Sequence, residues 1–166
     1  RDAASLRGYV QVAPIEGLTY KMSLNVDYNS KFLHNYDNPT YGPGSISGGE
    51  VSKQNYRTTG MTFNNVVNYQ RTINDNHNIR VMVGQEYYEY NTSNFGGTRS
   101  KVIMDGFYEP DAASSLSDFS GDSDQYKLLS YFGSAEYSYA SKYFLSGSVR
   151  TDGSSRFHPD HRWGTF

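Results

Sequence analysis

The sequence predicts an all-β chain whose antiparallel strands run up and down in order, as a segment of a transmembrane β-barrel. Three features predict this class: apolar and polar residues alternate, tyrosine is abundant, and short connections alternate with long ones. Tyr and Phe number 16 and 9 among the 166 residues, and such aromatic residues suit strands and membrane–water boundaries. The mean hydropathy of −0.72 is compatible with a barrel, because only every second residue of a strand must face lipid.

Composition excludes several classes of function. Lys and Arg total 15 against 17 Asp and Glu, and no basic run interleaves with the aromatics, so no nucleic-acid partner is expected. The absence of cysteine removes disulfides, thiolate catalysis and cysteine zinc sites from this stretch. No spacing of Ser, His and Asp suggests a catalytic triad, so we expect no enzyme, no catalytic residues and no cofactor. Because no apolar run follows the first five residues, we expect the true N-terminus to lie upstream or to have been removed.

The second strand, residues 19–28, shows the alternation most clearly. Its even positions are apolar and its odd positions are polar, so the two sets lie on opposite faces of the strand. At ~3.3 Å per residue and a tilt of ~40°, the strand covers roughly 23 Å along the membrane normal, close to the apolar band of a barrel. Tyrosines at both ends are placed as aromatic girdles. We expect these residues to face lipid: Tyr20, Met22, Leu24, Val26 and Tyr28.

The other strands repeat the pattern less regularly, and Asn65 and Gln85 interrupt two apolar faces. We expect about six strands in all, the others covering 6–13, 56–73, 79–87, 129–139 and 143–149. The polar faces supply candidates that either touch a substrate in a lumen or bond to neighbouring parts of the protein. These candidates are Lys21, Asn25, Asp27, Asn64 and Asn68.

The predicted connections alternate in length along the chain. Short ones occupy 14–17, 74–77 and 140–142, whereas long polar ones occupy 29–55 and 91–125, and another opens at Thr151. Short turns at one rim and long loops at the other are typical of outer-membrane barrels. Since such barrels need at least about eight strands to close, the chain is expected to be a fragment of a larger barrel.

The most specific motif lies at the end of the chain. Arg150-Thr-Asp-Gly-Ser-Ser-Arg-Phe157 is followed by Arg162-Trp-Gly164, and a Ser-Tyr-Phe-Gly hairpin beginning at Ser130 precedes both. Together they resemble the R-x-D-G-S-S-R-F-G…R-W-G signature and the preceding hairpin of SusC/RagA-like TonB-dependent outer-membrane transporters of Bacteroidetes-type bacteria. Segments 15–28 and 63–86, the latter ending in Gly84-Gln-Glu86, are looser matches to the same family.

The chain departs from the family pattern at three positions. His158 stands where Gly is usual, and Ser134 and Lys142 stand where Arg is common. None of these changes threatens the expected strands, but His158 gives the signature loop a side chain that the family usually lacks.

The resemblance implies a protein much larger than this chain. It implies a multi-pass barrel of about 22 strands filled by a plug, with 1–166 a fragment of the barrel domain and the plug and remaining strands outside it. The implied function is active import of oligosaccharides or peptides across the bacterial outer membrane. The implied partners are a SusD-like surface lipoprotein, the TonB complex acting through the plug, outer-membrane lipid, and a glycan or peptide cargo.

The signature loop is expected to be a structural turn at the barrel rim, with Gly153 supplying backbone freedom, Asp152 capping amides and Arg156 pairing internally. The loop comprises Asp152, Gly153, Ser154, Ser155, Arg156, Phe157, Arg162, Trp163 and Gly164. Neither the two histidines at 158–161 nor the acidic stretch 117–124 has the spacing of a zinc or calcium site, so no metal is expected.

Two questions remain open from the sequence alone, the role of a group of tyrosines and the class of the whole chain. Tyr87–Tyr90 and the pair Tyr36 and Tyr41 either stack on sugar rings or, as we favour, belong to girdles and packing. The chain as a whole has a rival reading as a surface-exposed or secreted β-sandwich that binds glycans. That reading predicts shorter strands whose apolar faces are buried against a second sheet. A plain solute porin is a third, weaker option.

Overall fold

The computed structural model describes residues 1–104 and 106–166, which form one antiparallel sheet of seven strands. Each strand is hydrogen-bonded to its neighbours in chain order, which is an up-and-down topology. The strands are β1 Asp2–Ile15, β2 Leu18–Asp37, β3 Glu50–Ile73, β4 His77–Val102, β5 Ala113–Tyr139, β6 Tyr143–Ser154 and β7 Trp163–Thr165. The predicted all-β antiparallel class is confirmed, with seven strands instead of about six because the terminal motif adds β7.

Three short 3₁₀ helices interrupt the connections, at Pro43–Ser45, Pro110–Ala112 and Pro159–His161. Each begins with proline, whose fixed φ suits a first helical position and whose missing N–H leaves no donor unpaired there. No helical segment among the described residues has the length and apolar character needed to cross a bilayer.

The two long connections predicted at 29–55 and 91–125 are mostly strand. β2 continues to Asp37, β3 begins at Glu50, β4 continues to Val102 and β5 begins at Ala113, so the connections shrink to 38–49 and 103–112. Residues in these extensions are often Ser, Thr, Asn or Gly on both faces. Backbone pairing does not require an apolar face, so the strands continue where the alternation stops.

The short turns lie where they were predicted. Gly17 has a φ of 80°, and the residue pairs Asn74–Asp75 and Ala140–Ser141 both have φ values of 48° and 55°. Two successive positive φ angles are typical of the type I′ turn, whose twist matches that of an antiparallel hairpin. The β5–β6 hairpin runs in continuous register from Tyr139 opposite Tyr143 to Leu128 opposite Ser154.

The rival β-sandwich is contradicted by the burial pattern. Among the described residues the buried apolar side chains are Val51, Ala112 and Ala113, and the side chain of Leu24 is 38% exposed. All the strands lie in the one sheet, so no second layer of described residues covers the apolar positions of β2.

Contacts divide the chain into two compact units, and each strand from β1 to β5 contributes to both. Unit 1 comprises Arg1–Ala4, Tyr28–Thr59 and Asn91–Asp124, and unit 2 comprises Ser5–Asp27, Gly60–Tyr90 and Gln125–Phe166. The three buried apolar residues belong to unit 1, and the whole signature motif belongs to unit 2.

Candidate functional site

Side-chain contacts in unit 2 distinguish two faces of the sheet. On one face, Tyr20 donates a hydrogen bond to Asn65 Oδ1 at 2.6 Å, and the Asn65 amide donates to Gln85 Oε1 at 3.4 Å. On the other, Arg150 contacts Glu86. Because Gln85 and Glu86 are consecutive in β4, their side chains point in opposite directions. We call the side of Tyr20 the apolar face and the side of Glu86 the polar face.

Aromatic residues form two rows on the apolar face of the β4–β7 region. The first row lies at the short turns, where His77 Nδ1 is 2.7 Å from the Tyr137 hydroxyl. In the same row, the ring centroid of Tyr139 lies 4.9 Å from that of His77 and 6.4 Å from that of Tyr143. Further along the strands, Tyr131 stacks on Trp163 with centroids 6.0 Å apart. Eight residues separate Tyr139 from Tyr131, a spacing that would be about 20 Å along the membrane normal for a strand tilted by ~40° as in outer-membrane barrels. The residues between the rows on this face are Gly133, Ala135, Leu145, Gly147 and Val149.

The five predicted lipid-facing residues share the apolar face, and none of them is buried. The interruptions at Asn65 and Gln85 are accommodated because these amides bond to each other and to Tyr20, which lowers the cost of polar groups on an apolar surface. Lipid contact at the five residues stays a prediction.

The predicted lumen-facing residues lie on the polar face. Asp27 accepts a 2.6 Å hydrogen bond from Ser5, and the Lys21 ammonium lies 4.6 Å from the Tyr9 ring centroid. Asn64 Oδ1 is buried without a hydrogen-bond partner in the described part of the chain. The other two candidates, Asn25 on β2 and Asn68 on β3, lie an even number of residues from Asp27 and Asn64, so they belong to the same face. Contact with cargo at these five positions stays a prediction.

A charged cluster centred on Arg150 joins three strands on the polar face. Its Nε lies 2.8 and 3.0 Å from the two carboxylate oxygens of Asp152, and its Nη2 lies 3.0 Å from Ser130 Oγ and 3.5 Å from Glu86 Oε1. The guanidinium carbon is 5.6 Å from the Phe132 ring centroid. Bonds of a guanidinium to carboxylates are stronger than neutral ones, so this cluster links β4, β5 and β6 beyond their backbone bonds.

The Phe132 ring lies directly over Gly84 of β4, where a Cβ atom would overlap the ring. The cluster therefore brings together two residues from each of three segments that match the family. These pairs are Gly84 and Glu86, Ser130 and Phe132, and Arg150 and Asp152. Sequence reasoning matched these motifs singly and missed their convergence. The signal was available, because each pair is spaced by two residues and so shares one face of its strand.

The side chains of the signature loop make specific contacts, and the roles of Gly153 and Asp152 differ from those predicted. Gly153 lies opposite Trp163, and a Cβ at Gly153 would come within 2.9 Å of the indole, so its role is to make room for the ring and not to supply backbone freedom. Asp152 binds the Arg150 guanidinium instead of capping amides. Arg156 lies 4.7 Å from the Tyr126 ring centroid.

The rest of the loop is fixed by hydrogen bonds in which at least one partner is a backbone group. Ser155 and Lys127 are joined by two hydrogen bonds. Lys127 N–H donates to Ser155 Oγ at 2.8 Å, and Ser155 N–H donates to the Lys127 carbonyl at 2.9 Å. Ser154 N–H donates to the Arg162 carbonyl, and Arg162 Nε donates to the Phe157 carbonyl. Gly164 pairs with Asp152 in the β6–β7 register.

His158 shapes the end of the signature loop through a local hydrogen bond. Its Nδ1 accepts from Asp160 N–H at 3.5 Å at the start of the third 3₁₀ helix. Within the described residues, no group of three or more His, Asp or Glu side chains is arranged to hold a metal ion.

In unit 1, the connection 103–112 is attached to β2 and β3. His34 Nε2 donates to the Tyr108 carbonyl at 2.6 Å, Tyr36 packs edge-on against the Tyr108 ring, and Lys53 pairs with Glu109. The hydrogen bond from Lys53, together with the charges of Lys53 and His34, holds the pKa of Glu109 below its usual range. The ion pair is therefore complete above the ordinary pKa of a glutamate and is lost as pH falls through the lowered value.

Arg150→Met tests the importance of the charged cluster. Methionine keeps an apolar stem over Phe132 but leaves Glu86 and Asp152 without their cation. Because the Arg150 side chain is 46% exposed, solvent screening limits the expected loss of unfolding free energy to about 1–2 kcal/mol. The measurement is the urea midpoint of the full-length protein refolded in lipid vesicles. Arg80→Met is the control, because Arg80 pairs with the exposed Glu136; equal losses in the two variants would contradict a special role for Arg150.

No protein-family model matches the sequence, but individual relatives do. The chain is 28% identical over 170 residues to a TonB-dependent receptor of Formosa agariphila, covering 99% of this chain and 16% of the relative. It is 30% identical over 118 residues to the TonB-dependent receptor SusC of Bacteroides thetaiotaomicron, covering 71% of this chain and 11% of that protein. The chain therefore spans less than a fifth of these relatives.

Solved structures agree with the sequence relatives. A chain of the RagAB peptide transporter matches with a TM-score of 0.92 at 28% identity, over 98% of this chain and 18% of that one. The RagAB peptide importer in its closed-closed and open-open states matches with a TM-score of 0.90 in both cases. These relatives are receptors and transporters, which confirms the predicted family resemblance and the prediction that the chain is not an enzyme.

Proposed function

We propose that this chain, which is related in sequence and fold to SusC/RagA-like TonB-dependent receptors, is a fragment of the barrel domain of such a receptor in a bacterial outer membrane. The observation that carries the proposal is the division of the sheet into two faces. The apolar face bears aromatic rows about 20 Å apart, which suits the hydrocarbon band between two girdles. The polar face bears the cross-strand network of Arg150 and suits a lumen.

The proposed activity of the whole protein is active import, with no covalent chemistry. About 22 strands would close the barrel around a plug, and the TonB complex would act on the plug to release an oligosaccharide or a peptide inward. This segment contributes a hydrogen-bonded wall, because the sheet must satisfy its backbone groups internally where it meets lipid. The remaining strands and the plug lie outside residues 1–166.

A SusD-like surface lipoprotein is the proposed partner at the long connections. These connections carry exposed apolar side chains, of which Ile46 at 94% exposure is the extreme. Apolar patches in water mark contact sites for other proteins. The residues are Tyr41, Ile46, Ile103, Met104, Phe107 and Tyr108.

Cysteine labelling tests the proposed orientation. This stretch has no natural cysteine, so single cysteines can be placed in the full-length protein at Ile46, in a long connection, and at Asp75, in a short turn. In intact cells from which the proposed lipoprotein has been deleted, so that it cannot cover Ile46, a membrane-impermeant maleimide is expected to label Ile46→Cys but not Asp75→Cys, and to label both after the outer membrane is permeabilised.

The unsubstituted receptor is the control for background labelling elsewhere in the protein. Labelling of Asp75→Cys in intact cells, or recovery of the protein outside the outer-membrane fraction, would overturn the proposal. Active import is tested separately, because uptake of the cognate cargo should stop when the gene for TonB is deleted although the receptor remains in the membrane.

A further inference from the structure

Three tyrosines form a group on the polar face of unit 2. The Tyr126 ring lies between two rings of β4, with centroids 5.8 Å from Tyr88 and 5.2 Å from Tyr90. Tyr88 and Tyr90 follow Glu86 in steps of two residues, and Tyr126 precedes Ser130 in steps of two. All three therefore share the face of the Arg150 cluster.

Neither a membrane girdle nor a hydrophobic core accounts for this group. The aromatic rows at Tyr131 and Tyr139 lie on the opposite face, where lipid contact is proposed. The three rings are only partly buried, and the fully buried apolar residues of the described chain all belong to unit 1. Aromatic surface on an otherwise polar face suits a ligand that is apolar on one side and hydroxylated on the other.

The surroundings of the rings have the chemistry of a carbohydrate site. The carboxylate of Asp27 interacts electrostatically with Tyr88, and Gly60 has no side chain to contact the Tyr88 hydroxyl, which a Cβ there would touch at 3.7 Å. A pyranose ring presents C–H groups that pack on aromatic faces, while its hydroxyls donate to carboxylates and to phenol oxygens. Arg156 already covers part of the Tyr126 ring, so Tyr88 and Tyr90 offer the remaining aromatic surface.

We propose that Tyr88, Tyr90 and Tyr126 form a stacking subsite on the barrel wall for a neutral pyranose ring of an oligosaccharide cargo. The inference rests on the proposed function, because only in a transporter lumen would this face meet the cargo. The carboxylate of Asp27, which interacts electrostatically with Tyr88, disfavours an acidic sugar at that ring, since like charges repel. Glu86 adds little to this effect, because Arg150 pairs with it.

The test uses the full-length receptor, purified in detergent with its lipoprotein, on an array of neutral oligosaccharides. Tyr88→Ala combined with Tyr126→Ala is expected to weaken binding to the recognised glycan at least tenfold. Tyr126→Phe retains the ring and should bind within twofold of the parent. Tyr143→Ala on the apolar face is the matched tyrosine control and should leave binding unchanged.

Failure to bind any neutral oligosaccharide, selective binding of a peptide library, or unchanged glycan binding in the double alanine variant would each overturn the subsite. Heat-modifiable mobility on gels shows that each variant is folded, so loss of binding is not loss of structure. The cysteine-labelling experiment is independent of these results. A receptor with the expected orientation but no glycan binding would overturn the subsite alone.

Discussion

Leu24→Arg is expected to lower the unfolding free energy of the full-length barrel in lipid vesicles by about 2–4 kcal/mol. A cation at the middle of the lipid-facing band loses its hydration without gaining a partner, and the cost is greatest at the bilayer midplane. Leu24 is the central residue of the predicted lipid-facing set in β2, four residues from the tyrosine at either end. Its side chain is 38% exposed, so crowding within the sheet does not explain a large loss.

Asn25→Arg is the matched control for that substitution. It adds the same side chain one residue later, on the opposite face of β2, where water and polar groups are expected. The measurement is the urea midpoint and slope for both variants in the same vesicles. If Asn25→Arg proves as destabilising as Leu24→Arg, or if Leu24→Arg is neutral, the assignment of the apolar face to lipid is wrong.

Gly84→Ala is expected to destabilise the barrel by about 1–3 kcal/mol, although alanine is ordinarily no worse than glycine in a strand. A Cβ at this position overlaps the Phe132 ring, and adding a carbon to a filled contact forces a neighbour out of place. When Phe132 moves, Arg150 loses the ring on which it rests. Gly84→Ala and Arg150→Met should therefore remove part of the same stabilising contact. The decrease in unfolding free energy of the double variant should be smaller than the sum of the decreases in the two single variants.

Gly147→Ala provides the comparison. Gly147 lies on β6, and no heavy atom of the described chain beyond its immediate neighbours comes within 4 Å of the place that a Cβ would take. Alanine there should therefore be neutral or slightly stabilising. Both variants are measured by urea unfolding in vesicles. Equal stability of Gly84→Ala and Gly147→Ala, or strict additivity of Gly84→Ala with Arg150→Met, would show that the Phe132 contact is unimportant.

The sequence was informative wherever one face of a strand is apolar. Residues 19–28 and the turns at Asn74 and Ala140 were located correctly, because alternation and turn-forming residues act locally. The strand extensions of β2 to β5 were missed, since polar residues on both faces give no alternation although the backbone still pairs. The chain order of the strands followed from their short connections.

The candidate sites were less predictable than the fold. The alternation along β2 and β3 predicts that Asp27 and Asn64 share one face, but it does not predict their partners, which depend on the residues of other strands that lie opposite. The same holds for Arg150, whose contacts with Glu86 and Ser130 join residues that are 64 and 20 positions away in the chain. Such pairs follow from the register between strands, which periodicity within one strand does not specify.

The lengths of β4 and β5 have a consequence for their backbone. With 26 and 27 residues, each strand has more than twice the ~10 residues that a tilted strand needs to cross an apolar band of ~25 Å. In the proposed barrel, more than half of each strand therefore meets water and not lipid. Because these residues stay hydrogen-bonded to neighbouring strands, we expect their amide protons to exchange slowly with solvent although water surrounds them.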